Sequence, residues 1–203
     1  MARTGAALVS VTGDANAIVD AANHGDALIV MTALGRYRAG AVRSELAETV
    51  LRSGTQPALL IGPHVAIGSD WPTGPLLVCS DGTDFSEAIV EPAAQLAKRL
   101  DLATRILLVT DGDPVADCSD AGRRVRSLAG KVESIVGSRV HYDLLHDADV
   151  AQAISDHGQW YRASLIAMTT HVRTSVDRLA HGSVAMAVVH RARCPVLVRG
   201  PMG

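Results

Sequence analysis

Short apolar runs closed by polar turns recur along the chain. Leu76-Leu77-Val78-Cys79 runs into Ser80-Asp81-Gly82-Thr83-Asp84, residues 106–109 run into an acidic stretch, and residues 165–168 and 196–198 are bounded in the same way. Runs of this length flanked by turn formers read as strands buried on both faces. Between them the apolar period changes. Ile89, Ala93, Leu96, Ala97 and Leu100 fall on one helical stripe, and so do Val125, Leu128, Val132, Ile135 and Val136. The pattern predicts strands at 75–80, 105–110, 140–145, 165–169 and 196–199, with helices from Ser86 to Leu100 and over 119–136, 150–157 and 183–191. Strands alternating with helices at this spacing build an α/β domain, an open five-stranded parallel sheet with helices on both faces and right-handed crossovers.

The first third of the chain repeats part of that pattern. Gln56-Pro57-Ala58-Leu59-Leu60-Ile61-Gly62-Pro63 returns as Cys194-Pro195-Val196-Leu197-Val198-Arg199-Gly200-Pro201, an offset of 138 from 56 to 194. Ala27 to Thr32 returns as Ser164 to Thr169 at an offset of 137, from 32 to 169. Two matches at nearly one offset indicate an internal duplication. The earlier copy is short, with strands predicted only at 7–11, 28–31 and 58–61 and helices at 16–23 and 44–53. The expected division is a partial unit at 1–62, a Gly- and Pro-punctuated linker at 63–74 and a complete unit at 75–203. The half unit lacks the strands that would sit mid-sheet, so its apolar faces need a cover. The last strands of the two units, 195–199 and 57–61, are expected to pair with each other within the chain or across a dimer.

Composition narrows the partners. The chain has 203 residues, 48% hydrophobic, and 19 Lys+Arg against 21 Asp+Glu leave a net charge of -2 without the basic footprint of a nucleic-acid binder. No apolar run approaches the roughly 20 residues of a membrane span, and the N-terminus lacks the long apolar core of a secretory signal, so a cytoplasmic protein without a membrane or nucleic-acid partner is expected. Three cysteines without CxxC spacing point to neither a disulfide framework nor a zinc site.

The segment Val78-Cys79-Ser80-Asp81-Gly82-Thr83-Asp84-Phe85-Ser86, together with Gly182-Ser183-Val184-Ala185 and Cys194-Pro195-Val196-Leu197-Val198, resembles the universal stress protein family, whose α/β domains often occur in tandem or as dimers. The resemblance covers nearly the whole chain and implies an adenine nucleotide alpha hydrolase-like fold. It also implies a site. In the family's nucleotide-binding branch a glycine, two residues, a second glycine, nine residues and Gly-Ser or Gly-Thr cradle the phosphates of ATP after the fourth strand, using backbone N–H groups and a helix N-terminus. The matching positions are Thr169, Val172, Gly182 and Ser183. The spacing survives and both leading glycines are replaced. A β-branched Val172 resists positive φ and fills space that a phosphate needs. By the same resemblance Asp81 and Val109 would flank the adenosine end of a ligand and Arg173 would lie beside the phosphates; on their own terms Asp81 caps a turn, Val109 is core and Ser183 is a helix N-cap.

Catalytic patterns are sparse. The eight histidines show no HExxH spacing, with His141 and His146 on opposite faces of a strand and His171 in the phosphate loop. Asp111, Asp113, Asp117 and Asp120 read as a solvated acidic loop, with a magnesium site as the alternative. Lys98 and Lys131, the two lysines, fall on helix surfaces, and no nucleophile is paired with a base. The expectation is a non-enzymatic stress-response or regulatory protein with no catalytic residue, no metal and weak or lost ATP binding in the complete unit. The alternative is an ATP hydrolase or phosphotransferase using Asp81, Ser183 and magnesium.

Overall fold

The computed structural model describes residues 14–23, 27–32, 45–66, 68, 71–110, 114–170 and 184–200. The predicted strand at 7–11 lies outside them. In chain order the elements are α1 (Ala15–Asn23), β1 (Ile29–Thr32), α2 (Glu45–Ser53), β2 (Ala58–Ile61), β3 (Leu76–Ser80), a 3-10 turn (Ser86–Ile89), α3 (Val90–Leu100), β4 (Thr104–Thr110), α4 (Pro114–Val136), β5 (His141–His146), α5 (Val150–Trp160), β6 (Leu165–Thr169), α6 (Val184–Arg191) and β7 (Val196–Arg199).

The seven strands among the described residues join one sheet in the order β1-β2-β7-β6-β3-β4-β5. Strands β7, β6, β3, β4 and β5 are parallel, the five-stranded sheet expected of residues 75–203. β3, β6 and β2 are apolar on both faces because both faces are covered. One side of the sheet packs Leu60, Leu77, Leu107, Ile166 and Val198 against α1, α2, α5 and α6. The other packs Leu76, Val78, Ile106 and Leu197 against α3 and α4.

β1 and β2 extend the sheet through an antiparallel seam: Ala58 lies opposite Val198, Leu59 opposite Leu197 and Leu60 opposite Val196. This is the pairing of last strands that the sequence repeat leads one to expect, here made within the chain. Its geometry is reciprocal, since β1 pairs β2 with Ile29 beside Ala58 and β6 pairs β7 with Ile166 beside Val196. Those registers superpose under the offsets of the repeat. The helices above obey the same relation. A Cβ on Gly62 would lie 1.9 Å from the carbonyl oxygen of Val189 in α6, and one on Gly200 would lie 1.7 Å from that of Leu51 in α2. Each glycine admits the backbone of a helix that a methyl group would exclude. At the outer edge Val30 is 58% exposed, on the side that α3 and α4 cover elsewhere.

Three local expectations are corrected. Helix α4 begins at Pro114, so Asp117 and Asp120 belong to a helix and not to an acidic loop; proline is at home in the first helical turn, where its missing N–H is not needed. Asp120 forms an ion pair with Arg123 one turn on. The helix expected to open at Ser86 begins as a 3-10 turn, because the Ser86 hydroxyl is committed to Ser80 Oγ and to the carbonyl of Thr83. Helix α5 runs on to Trp160, with Asp149 as its N-cap accepting from the Gln152 N–H. Arg191 at the end of α6 holds the same carboxylate through both oxygens, at 2.9 and 3.0 Å.

Candidate functional site

In a doubly wound sheet ligands enter where neighbouring strands send their connections to opposite sides, at the carboxyl ends of the strands. Here that point is between β3 and β6. β3 stays paired with β4 up to Ser80 opposite Leu108, whereas its pairing with β6 stops at Val78 opposite Ala167. A crevice opens beyond, walled by the turn after β3 and the last residues of β6.

The β3 wall is built from its own hydrogen bonds. Asp81, exposed, accepts from the Thr83 N–H at 2.9 Å and the Thr83 hydroxyl at 2.7 Å. Gly82 has φ +81°, the left-handed region that favours glycine, and donates its N–H to Ser80 Oγ at 3.0 Å. Ser80 Oγ and Ser86 Oγ lie 2.7 Å apart in a buried pair that ties the strand end to the next helix. From α4, Arg124 donates to the carbonyl of Gly82 and its Cδ covers the glycine's open side. Arg124 was not picked out in the sequence. The signal that bears on it is the Asp81-Gly82 pair, a turn whose open face needs a neighbour.

Of the predicted residues, Asp81 and Val109 each come next after the last pair of the β3–β4 register, Ser80 opposite Leu108, at the carboxyl ends of adjacent strands. Val109 is buried among Cys79, Leu107 and their neighbours. Thr169 ends β6 on the opposite wall and is 8% exposed, with Thr170 beside it donating its N–H to the carbonyl of Arg199. Val172, Arg173, Gly182 and Ser183 lie outside the described residues, as do His171 and His181.

Other reactive groups sit elsewhere. Cys79 and Cys194 are buried free thiols, and burial pushes Cys194 up to about 12 and Cys79 further still, so neither offers a thiolate at neutral pH. Among the described residues no group of three His, Cys, Asp or Glu side chains could hold a metal ion. Nor is any described helix long and apolar enough to cross a membrane. His157 joins a structural cluster: Asp143 accepts from Arg105 at 2.7 Å and from His157 at 3.1 Å, and the Arg105 guanidinium lies 4.0 Å over the Tyr161 ring. Burial pushes the Asp143 carboxyl up, but the hydrogen bonds from His157 and Arg105 outweigh it and hold the group below its usual range. A lowered folded value means that the stabilisation is complete above the unfolded value and is lost as pH falls through the folded one. Asp143→Asn is therefore expected to reduce stability at pH 7 by about 1–3 kcal/mol, with the deficit shrinking below about pH 4, as urea unfolding at pH 7 and pH 3 would record.

The comparisons agree with this architecture. The model of the Universal stress protein family matches residues 73–199. A universal stress protein of Methanocaldococcus jannaschii is 26% identical over 136 residues, which cover 61% of this chain and 79% of the relative. Among solved structures, a universal stress protein from Archaeoglobus fulgidus aligns with a TM-score of 0.66 and 19% identity over 92% of this chain and 66% of that one. Another, solved in complex with cAMP, gives 0.55 at 19% identity over 64% and 98%. A third, from Archaeoglobus fulgidus and in complex with dAMP, gives 0.51 at 20% identity over 62% and 97%.

Proposed function

Given that the chain belongs to the universal stress protein family, we propose that it is a non-enzymatic stress-response regulator whose strand-end crevice has weak or lost affinity for adenine nucleotide. The observation that carries this reading is Thr169. Where the nucleotide-binding branch has its first glycine, this chain has a β-branched residue buried at the end of β6, followed by Val172 in place of the second. On this reading a β-branched residue at each position would take up the room that a phosphate needs to reach backbone N–H groups. The relatives solved with cAMP and dAMP support the adenosine side of the crevice, with Asp81 and Val109 as its neighbours. Arg173, Gly182 and Ser183 would complete what remains of the phosphate side.

The same reading makes residues 1–62 a partial copy of the unit, 63–74 a linker and 75–203 the complete copy. The reciprocal registers about the β2–β7 seam support it. The regulatory device is then assembly through the sheet, in the cytoplasm, with further copies as the partners. The hydrolase alternative is weakened because Asp117 and Asp120 lie on α4 and Asp120 is engaged by Arg123.

Calorimetric and thermal-shift titrations with ATP and magnesium, cAMP and dAMP test the proposal. The native chain is expected to show little stabilisation at millimolar nucleotide, since a ligand that binds only the folded state must raise its stability. Thr169→Gly with Val172→Gly is expected to strengthen ATP binding at least tenfold. Micromolar ATP binding by the native chain, turnover of ATP, or no gain in the double variant would each overturn the assignment.

A further inference from the structure

A second hollow lies at the other end of the sheet. The C-terminal half of α5, the segment leading into β3 and the turn before β7 enclose a cleft of about 250 Å³, which opens onto a broader depression of about 640 Å³. Its floor is Ile166 and Cys194, both buried. One wall is Trp71, whose ring is fixed by its indole N–H donating to the carbonyl of Ser164 at 3.0 Å. Ser164, 4% exposed, accepts the Gly74 N–H at 2.7 Å and keeps its own hydroxyl proton to donate.

Arg162 and Arg193, both exposed, line the cleft, and among the described residues neither forms an ion pair with a carboxylate. Arg162 is held there at a conformational cost. Its φ is +50°, a region that an arginine rarely occupies and that glycine or asparagine would take more easily. The backbone is locked: Arg162 donates its N–H to Gln159, Ala163 donates to Gly158, and a Cβ on Gly74 would lie 1.9 Å from the Arg162 carbonyl oxygen. The left-handed turn closes α5 and brings Arg162, whose side chain is exposed, into the lining of the cleft. The acids nearby are otherwise engaged: Asp156 accepts from Gln152 Nε2, and Asp149 is held by Arg191.

We propose that this cleft is a binding site for a small phosphomonoester, distinct from the strand-end crevice. Two planar monocations match a phosphate dianion in charge and in bidentate geometry, whereas a carboxylate would leave one of them uncompensated. The apolar floor and the fixed indole receive the body of the ligand, and the inner cleft of about 250 Å³ suits a compact one such as a single ring.

Phenyl phosphate is the probe. Titrated into the full chain, it is expected to bind at one site and to change tryptophan fluorescence, a response lost in Trp71→Phe and kept in Trp160→Phe. Arg162→Asn, which suits the left-handed backbone, and Arg193→Gln are each expected to weaken binding about tenfold, while Asp81→Asn in the crevice leaves it unchanged. No binding at millimolar phenyl phosphate, binding that survives both arginine changes, or benzoate bound as tightly would overturn the proposal.

Discussion

Replacing Gly200 by alanine is expected to lower the stability of the fold by about 3 kcal/mol, the upper end of what forcing atoms into a packed interior costs. The added methyl would sit 1.7 Å from the carbonyl oxygen of Leu51. That oxygen is backbone in a helix and has no rotamer through which to move aside. Relief therefore requires α2 to shift off the strand seam, exposing Val50 and Leu51, which are 1% and 3% accessible. Gly62→Ala, pressed against Val189 of α6, is expected to behave alike. The control is Gly130→Ala on the open side of α4, where a Cβ meets nothing within 4 Å; there the loss of helix-opposing glycine freedom is expected to stabilise by about 0.5–1 kcal/mol. Urea unfolding of the three variants separates packing from propensity. A neutral Gly200→Ala would mean that the end of β7 does not pack on α2 as described.

Truncating Leu60 to alanine is the second large effect, about 3–4 kcal/mol, since a fully buried leucine loses its transfer free energy and leaves a cavity. Leu60 is 0% exposed, faces Val196 across the seam and belongs to the cluster that contains Ile166, Met168 and Val198. The magnitude is only half of the test. Because one apolar cluster spans α1, α2, β2 and the five parallel strands, the variant is expected to unfold in a single transition with an unchanged denaturant slope. Two separated transitions would show that residues 14–61 form an independent unit.

Much of this architecture could be read from residue order. Strands 165–169 and 196–199 appear at the expected positions because a strand covered on both faces leaves an unbroken apolar run, which its short length and flanking turn formers separate from a buried helix. The seam was legible through the repeat of 56–63 at 194–201, but its register was not, since opposition of Leu59 and Leu197 depends on how the helices above them fit. The early start of α4 escaped notice because four aspartates in ten residues look like a loop, while Pro114 is compatible with either state. In the crevice, Asp81 was readable from its turn; Arg124 was not, as its contact with Gly82 joins residues far apart in the chain. The cleft under β6 is assembled from three separate segments, none of which carries a motif, so only the folded chain brings Arg162, Arg193 and Trp71 to one place.

The antiparallel union of β2 with β7 has a bearing on how the molecule responds to dilution. Symmetric strand-to-strand contacts of this kind are usually made between subunits and come apart as protein becomes scarce. Here the two halves of the contact are tethered by the chain between them, which keeps each at a high effective concentration near the other. The joint persists however few molecules are present, and among the described strands it leaves β1 and β5 as the margins where the sheet meets its surroundings.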